Sequence, residues 1–169
     1  PKPEPPKPAA KAPAPAKKIN VADYNRQARD LTNQGRYEDA LDLLNQALDQ
    51  SPKYAQAFNA RGFVHLLMLN YTQAVADFSE AIRLKPDYAE GHHNLALALS
   101  PFPARRAEAL AHYNTALRLK PDYPKAHYNL AILLASPQGQ PLSAADLAAT
   151  VQRLAEPTTD RKSTRLNSS

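Results

Sequence analysis

Through the middle of the chain, apolar side chains recur at the spacing that gathers them on one face of a helix. Val21, Tyr24, Ala28 and Leu31 form one such stripe, and Tyr37, Ala40, Leu41, Leu44 and Ala47 form the next. The stripes come in pairs, and each pair ends at a proline. Leu84-Lys85-Pro86-Asp87-Tyr88 recurs unchanged as Leu119-Lys120-Pro121-Asp122-Tyr123, 35 residues later. An earlier counterpart, Gln50-Ser51-Pro52-Lys53-Tyr54, lies 34 residues before the first. Self-similarity at a fixed period of this length marks a stacked-repeat architecture, and a proline just past an apolar stripe stops a helix. The pattern predicts units of two helices each, one after another.

Aligned on those prolines, the units share more than their ends. The first supplies Tyr24, Ala28, Leu31, Ala40, Leu44, Ala47 and Pro52 at positions 4, 8, 11, 20, 24, 27 and 32. The second supplies Phe58, Gly62, His65, Ala74, Phe78, Ala81 and Pro86, with His65 departing at position 11. The third supplies His92, Ala96, Leu99, Ala109, Tyr113, Ala116 and Pro121, one extra residue being allowed in its Ser100-Pro101-Phe102-Pro103 turn. A fourth begins with His127, Ala131 and Leu134; its second helix, at about 143–154, lacks the Ala/bulky/Ala series.

This series resembles the tetratricopeptide repeat. The resemblance covers residues 21–156 and implies an all-α, right-handed solenoid of helix-turn-helix repeats, at about 21–54, 55–88, 89–123 and a degenerate 124–156. The physical basis is close helix crossing: at positions 8, 20 and 27 there is room for nothing larger than Ala, and the bulky residues at 4 and 24 fill the adjoining gaps. Gly35 suits the turn between helices, since it adopts left-handed backbone angles without strain. Two helices cannot bury their apolar faces alone, so the units must stack.

In that family each unit's first helix lines the hollow of the superhelix, with positions 2, 5, 6, 9 and 12 facing it. Here the resemblance assigns Ala22, Asn25, Arg26, Arg29 and Thr32 from the first unit and Gln56, Asn59, Ala60, Phe63 and Leu66 from the second. Glu90, His93, Asn94, Leu97 and Ser100 follow from the third, and Lys125, Tyr128, Asn129, Ile132 and Ala135 from the fourth. The expected peptide-binding groove is Arg29, Asn59, Phe63, Leu66, His93, Asn94, Leu97, Tyr128, Asn129 and Ile132. It has an apolar floor of Phe63, Leu66, Leu97 and Ile132, two rings (His93 and Tyr128), and amides. An amide offers both donor and acceptor, as an extended peptide backbone does. Asn94 and Asn129 resemble part of the asparagine ladder of O-linked N-acetylglucosamine transferases, which Arg26 and Ala60 interrupt. The Lys/Asn clamp of chaperone-tail receptors meets Asn25, Arg29 and Ala60 instead, so no chaperone-tail receptor is expected. With Arg26 and Arg29 at one end, Lys125 at the other and Glu90 between, the wall reads as near neutral, and binding should depend weakly on salt.

Composition narrows the function. The formal charge of +5 invites a nucleic-acid partner, but residues 1–18 carry +4 and residues 160–169 carry +2, leaving −1 on the 141 residues between. A phosphate-gripping protein places its charge on the folded surface; no nucleic acid is expected. There is no cysteine, hence no disulfide, thiolate metal site or thiol nucleophile. No G-x-S-x-G elbow, phosphate-cradling glycine loop or H-E-x-x-H is present. Neighbouring His92 and His93 diverge by about 100° on a helix and cannot share one ligand. The five histidines read as core or groove residues, and no metal, cofactor or catalysis is expected. No apolar run is long enough to span a membrane.

Seven of the 16 prolines fall in residues 1–18, which read as an extended polyproline-type spacer. Similar Pro/Lys/Ala spacers stand between a membrane anchor and a periplasmic domain, and also join cytoplasmic domains. Residues 157–169 read as a tail; 160–169 resemble an in-frame translation of a sequencing adapter and are set aside as a scar. The expectation is a bacterial protein-interaction scaffold with a protein or peptide partner, monomeric or weakly self-associating. It would be cytoplasmic, or periplasmic behind an N-terminal anchor or signal lost from this fragment. The alternative is the targeting arm of a larger enzyme, a protease or glycosyltransferase, which the complete reading frame would reveal.

Overall fold

The structure, a computed structural model, describes residues 20–136. The 1–18 spacer, the fourth unit's second helix and the 157–169 tail lie outside the described residues. Seven helices follow in order: α1 (Val21–Asn33), α2 (Tyr37–Gln50), α3 (Ala55–Leu67), α4 (Tyr71–Leu84), α5 (Ala89–Leu99), α6 (Arg106–Leu119) and α7 (Pro124–Ala135). There is no strand among the described residues. α1 pairs with α2, α3 with α4 and α5 with α6, and each pair packs on the next to form an α-helical repeat solenoid.

Local chemistry sets the helix ends. The side chain of Asn20 accepts the Ala22 amide hydrogen at 3.1 Å and caps α1. α3, α5 and α7 start directly after Tyr54, Tyr88 and Tyr123, the tyrosines that follow each proline mark. The turn after α1 uses Gly35 at φ 75°. The turn after α3 makes the same left-handed bend with Leu69, at φ 60°, where a side chain carries a steric penalty that glycine escapes. After α5 the longer connection folds into a 3-10 turn at Pro103–Arg105.

The crossings are as tight as the small residues require. Ala28, Ala40, Ala47, Ala74, Ala81, Ala96, Ala109 and Ala116 are all fully buried. A β-carbon on Gly62 would stand 2.9 Å from the buried Phe78 ring, so helices α3 and α4 meet where only glycine fits. Leu44, Phe78 and Tyr113 fill position 24 of their units and are fully buried.

The histidines at position 4 behave differently from the expected core residues. His92 is half-buried and His127 exposed. Each sets Nε2 against the carbonyl of the preceding mark, His92 to Pro86 at 3.0 Å and His127 to Pro121 at 2.9 Å. An imidazole edge has to be solvated or bonded, which draws these rings to the rim. Nδ1 of His92 lies 3.1 Å from Nδ1 of His112 on α6.

A polar tie that no repeat position announces joins the first two pairs. Arg61 on α3 donates from Nε and Nη2 to both oxygens of Asp77 on α4, at 2.9 and 2.7 Å, and from Nη1 to Asn45 on α2 at 2.8 Å. Its guanidinium also lies over the Phe58 ring, 5.4 Å from the centroid. The two-pronged geometry satisfies a carboxylate that is almost entirely buried.

Candidate functional site

The first helices of the units share one side of the solenoid, and a cavity of about 350 Å³ opens among them. α1 contributes Asn25 and Arg29, α3 contributes Gln56, Asn59 and Phe63, α5 contributes Glu90 and Asn94, and α7 contributes Lys125. Tyr88 and Tyr123 close the lining from the starts of α5 and α7. Arg29 and Lys125 therefore line one cavity together with Glu90, although the sequence order puts them at opposite ends.

Of the ten expected groove residues, Arg29, Asn59, Phe63 and Asn94 line this cavity. Leu66 and Leu97 do not form a floor: they are 0% and 1% exposed and lie in the apolar core with Phe78, Leu99 and Leu133. Position 12 is buried in each of the first three units, at Thr32, Leu66 and Ser100, and of these only Thr32 lines the cavity. At that position in the third unit, Ser100 is buried and returns its hydroxyl hydrogen to the Ala96 carbonyl at 2.7 Å. His93 is fully buried behind the wall, and Asn129 is buried against it. Tyr128 is 42% exposed and Ile132 half-buried; neither lines the cavity.

The amides expected to be open for a ligand are bonded to one another across repeats. Asn94 Nδ2 donates to Asn59 Oδ1 at 3.0 Å. His93 sits 3.1 Å from Asn94 Oδ1 through Nδ1 and 2.9 Å from Asn129 Nδ2 through Nε2. Its ring packs against Tyr123, with centroids 4.9 Å apart, and Tyr113, at 5.8 Å. Burial drives the His93 pKa down to about 4; the Asn94 hydrogen bond opposes this and the Lys125 charge assists it. The imidazole is therefore neutral near neutral pH. Burial raises the Tyr88 and Tyr123 phenols, with the Glu90 carboxylate adding to the effect, so both keep their hydrogens. Lys85 lies over the Tyr88 ring at 5.3 Å and Lys120 over Tyr123 at 4.9 Å, which steadies both rings from outside. The side-chain Oδ1 of Asn25 is buried with no hydrogen-bond partner among the described residues.

Sequence reasoning missed the two tyrosines as site residues. It read the recurring Pro-Asp-Tyr as punctuation, whereas its identical repetition also marks side chains returning to one wall. Among the described residues there is no cluster of three or more potential metal ligands, and no helix long and apolar enough to cross a membrane.

Stacked helix pairs with alanine crossings and a lined inner face define a helical-repeat class. The chain belongs to the tetratricopeptide (TPR) repeat family, whose model matches residues 28–68, 70–100 and 106–136. A curated relative in rice, Protein SGT1 homolog, is 35% identical over 66 residues, 39% of this chain and 18% of its own length. Protein FlbA of Caulobacter vibrioides is 30% identical over 83 residues, 49% of this chain and 14% of its own. The chain thus spans under a fifth of either relative. Solved structures share the fold. An O-GlcNAc transferase mutant of Thermobaculum terrenum superposes with a TM-score of 0.66 at 24% identity, over 79% of this chain and 26% of that one. The second TPR domain of human RPAP3, solved with an HSP70 peptide, gives 0.63 at 21% identity, over 69% and 96%.

Proposed function

We propose that this protein is an interaction module that holds an extended segment of another protein in the cavity between its first helices. The observation that carries the reading is the lining itself: amides from α1, α3 and α5, two protonated phenols, and the Phe63 ring, set around a space of peptide cross-section. Such a surface supplies hydrogen bonds along a backbone and an apolar face for one side chain. The family is typically one of non-catalytic interaction modules, and the RPAP3 neighbour binds a peptide on the same fold.

The test is peptide selection from a random display library on the purified protein, followed by calorimetry. Phe63→Ala and Asn94→Ala should each cost about 1–3 kcal/mol in affinity for a selected peptide. Arg83→Ala, on α4 and paired with Glu80 in its own helix, should cost less than about 0.5 kcal/mol. The opposite ranking would move the site to the outer helices.

A further inference from the structure

The amides behind the cavity repeat one link from unit to unit: the residue at position 6 gives an amide hydrogen to the residue at position 5 of the unit before it. Asn129 on α7 donates to Nε2 of His93 on α5 at 2.9 Å, and Asn94 on α5 donates to Oδ1 of Asn59 on α3 at 3.0 Å. The partners stand 36 and 35 residues apart. The same step from α3 back to α1 runs from position 60 to Asn25, and position 60 is alanine. A methyl group donates nothing. Asn25 Oδ1 is accordingly buried with no hydrogen-bond partner, whereas the equivalent acceptors on Asn59 and His93 are both engaged. A buried acceptor without a donor destabilises the free protein, and that cost disappears when a donor arrives. Asn25 and Ala60 are half-buried and both line the cavity, so the missing link is a gap in the wall that a ligand faces.

The gap is what remains when the carboxamide of an asparagine is cut back to a methyl, so it is about one carboxamide wide. An extended main chain, which carries a side chain on either side of each N–H, is too broad for it. An ammonium group would bring three donors and a full charge to one neutral acceptor, with the Arg29 guanidinium on the same wall. A carboxamide suits both neighbours. Its N–H meets Asn25, and its oxygen accepts from Arg29, which takes part in none of the ion pairs between described residues. The terminal torsion of an asparagine is soft, so the Asn25 oxygen turns to the donor as it enters. We propose that the gap between Asn25 and Ala60 is a specificity pocket for the side-chain carboxamide of a glutamine or asparagine in the bound peptide, which takes the place of the absent position-6 amide. This rests on the peptide-binding reading above and adds which side chain is chosen.

The experiment has two arms on the full chain. The first needs no ligand. Ala60→Asn supplies the missing amide and should raise the melting temperature by about 2–4 °C. In an Asn25→Ala background there is nothing to donate to, and the same substitution should lower it, since asparagine is a poorer helix former than alanine. Equal shifts in the two backgrounds would show that position 60 does not serve Asn25, and would overturn the proposal. The second arm titrates nitrogen-15-labelled protein with N-acetyl-Leu-Gln-Leu-N-methylamide and its Met and Glu counterparts, following the backbone amide signals of α1 and α3. Methionine matches glutamine in length and carries no N–H. The Gln peptide should bind about fivefold more tightly than the Met peptide. That preference should fall to parity in Ala60→Asn, where the gap is filled, and in Asn25→Ala, where the acceptor is gone. A preference that survives both substitutions would overturn the proposal. A Glu peptide bound more tightly than the Gln peptide would do so too, because the charges of the wall would then choose the side chain. Equal binding of the Gln and Met peptides to wild type would overturn the pocket but leave the peptide-binding reading in place. No shift with any of the three would remove both.

Discussion

Helices α1 and α5 hold the same place in their units, yet they are buried very differently. On α1 only Tyr24, Ala28 and Thr32 are buried; on α5 the buried set is Gly91 and every residue from His93 to Leu99. The reason is the number of neighbours. α1 packs against α2 and α3 at the end of the described stack, whereas α5 is enclosed by α3, α4 and α6. An end helix can leave its polar residues in water, and Arg29 stays exposed at the cavity mouth. A central helix has to satisfy its polar residues internally, and His93 and Asn94 do so by bonding across repeats. Position 5 is partly open on α1, where Asn25 lines the cavity, and closed on α5, where His93 is fully buried.

Paired truncations should break this contrast if it is wrong. Leu97→Ala on α5 removes a side chain that is 1% exposed, and should cost about 2–5 kcal/mol in a urea melt. Leu31→Ala on α1, where the side chain is only half-buried against its cluster, should cost about 1 kcal/mol. Equal losses would mean that the two helices are equally enclosed.

Acid should expose the same difference through charge. The folded-state pKa of His93 lies near 4 against an ordinary 6.5, so between those values the unfolded chain binds a proton that the folded chain refuses. Stability is then full above about pH 6.5 and falls as the pH drops. The loss approaches roughly 3 kcal/mol once the pH is below 4. His65 and His112, also lowered by burial, add in the same direction. Comparing wild type with His93→Gln in melts from pH 7.5 to 4 isolates the one residue. The variant should show the shallower slope, and parallel slopes would mean that His93 titrates normally.

The smallest effect sharpens the comparison at the turns. Leu69 bends left-handed as Gly35 does, and its side chain is exposed. Leu69→Gly should raise stability by about 0.5–1 kcal/mol by releasing that strain, despite the glycine's larger entropy loss. A destabilised variant would show that the Leu69 side chain does something the turn needs.

Much of the fold could be read from the sequence because its strictest requirement is written at single positions. Ala74 and Ala81 have to be small whatever surrounds them. The site was less legible because it depends on combinations. Leu66 and Leu97 are ordinary apolar residues at positions expected to face the hollow, and only the packing of neighbouring helices shows that they are core. The link from Asn129 through His93 to Asn59 spans three helices, and no one residue's type implies it. Arg61 and Asp77 escaped notice for the same reason. Both sit at positions with no repeat rule, and their pairing appears only when α3 lies on α4. Leu69 hid a left-handed turn behind a residue that rarely makes one.

The most direct test of the central claim is a nitrogen-15 shift map of the protein titrated with its tightest selected peptide. Changes should gather on α1, α3 and α5, with the Asn59 and Asn94 side-chain amides among the largest and the α2, α4 and α6 signals nearly still. A map centred on α2, α4 and α6, with those two amides unmoved, would contradict the account.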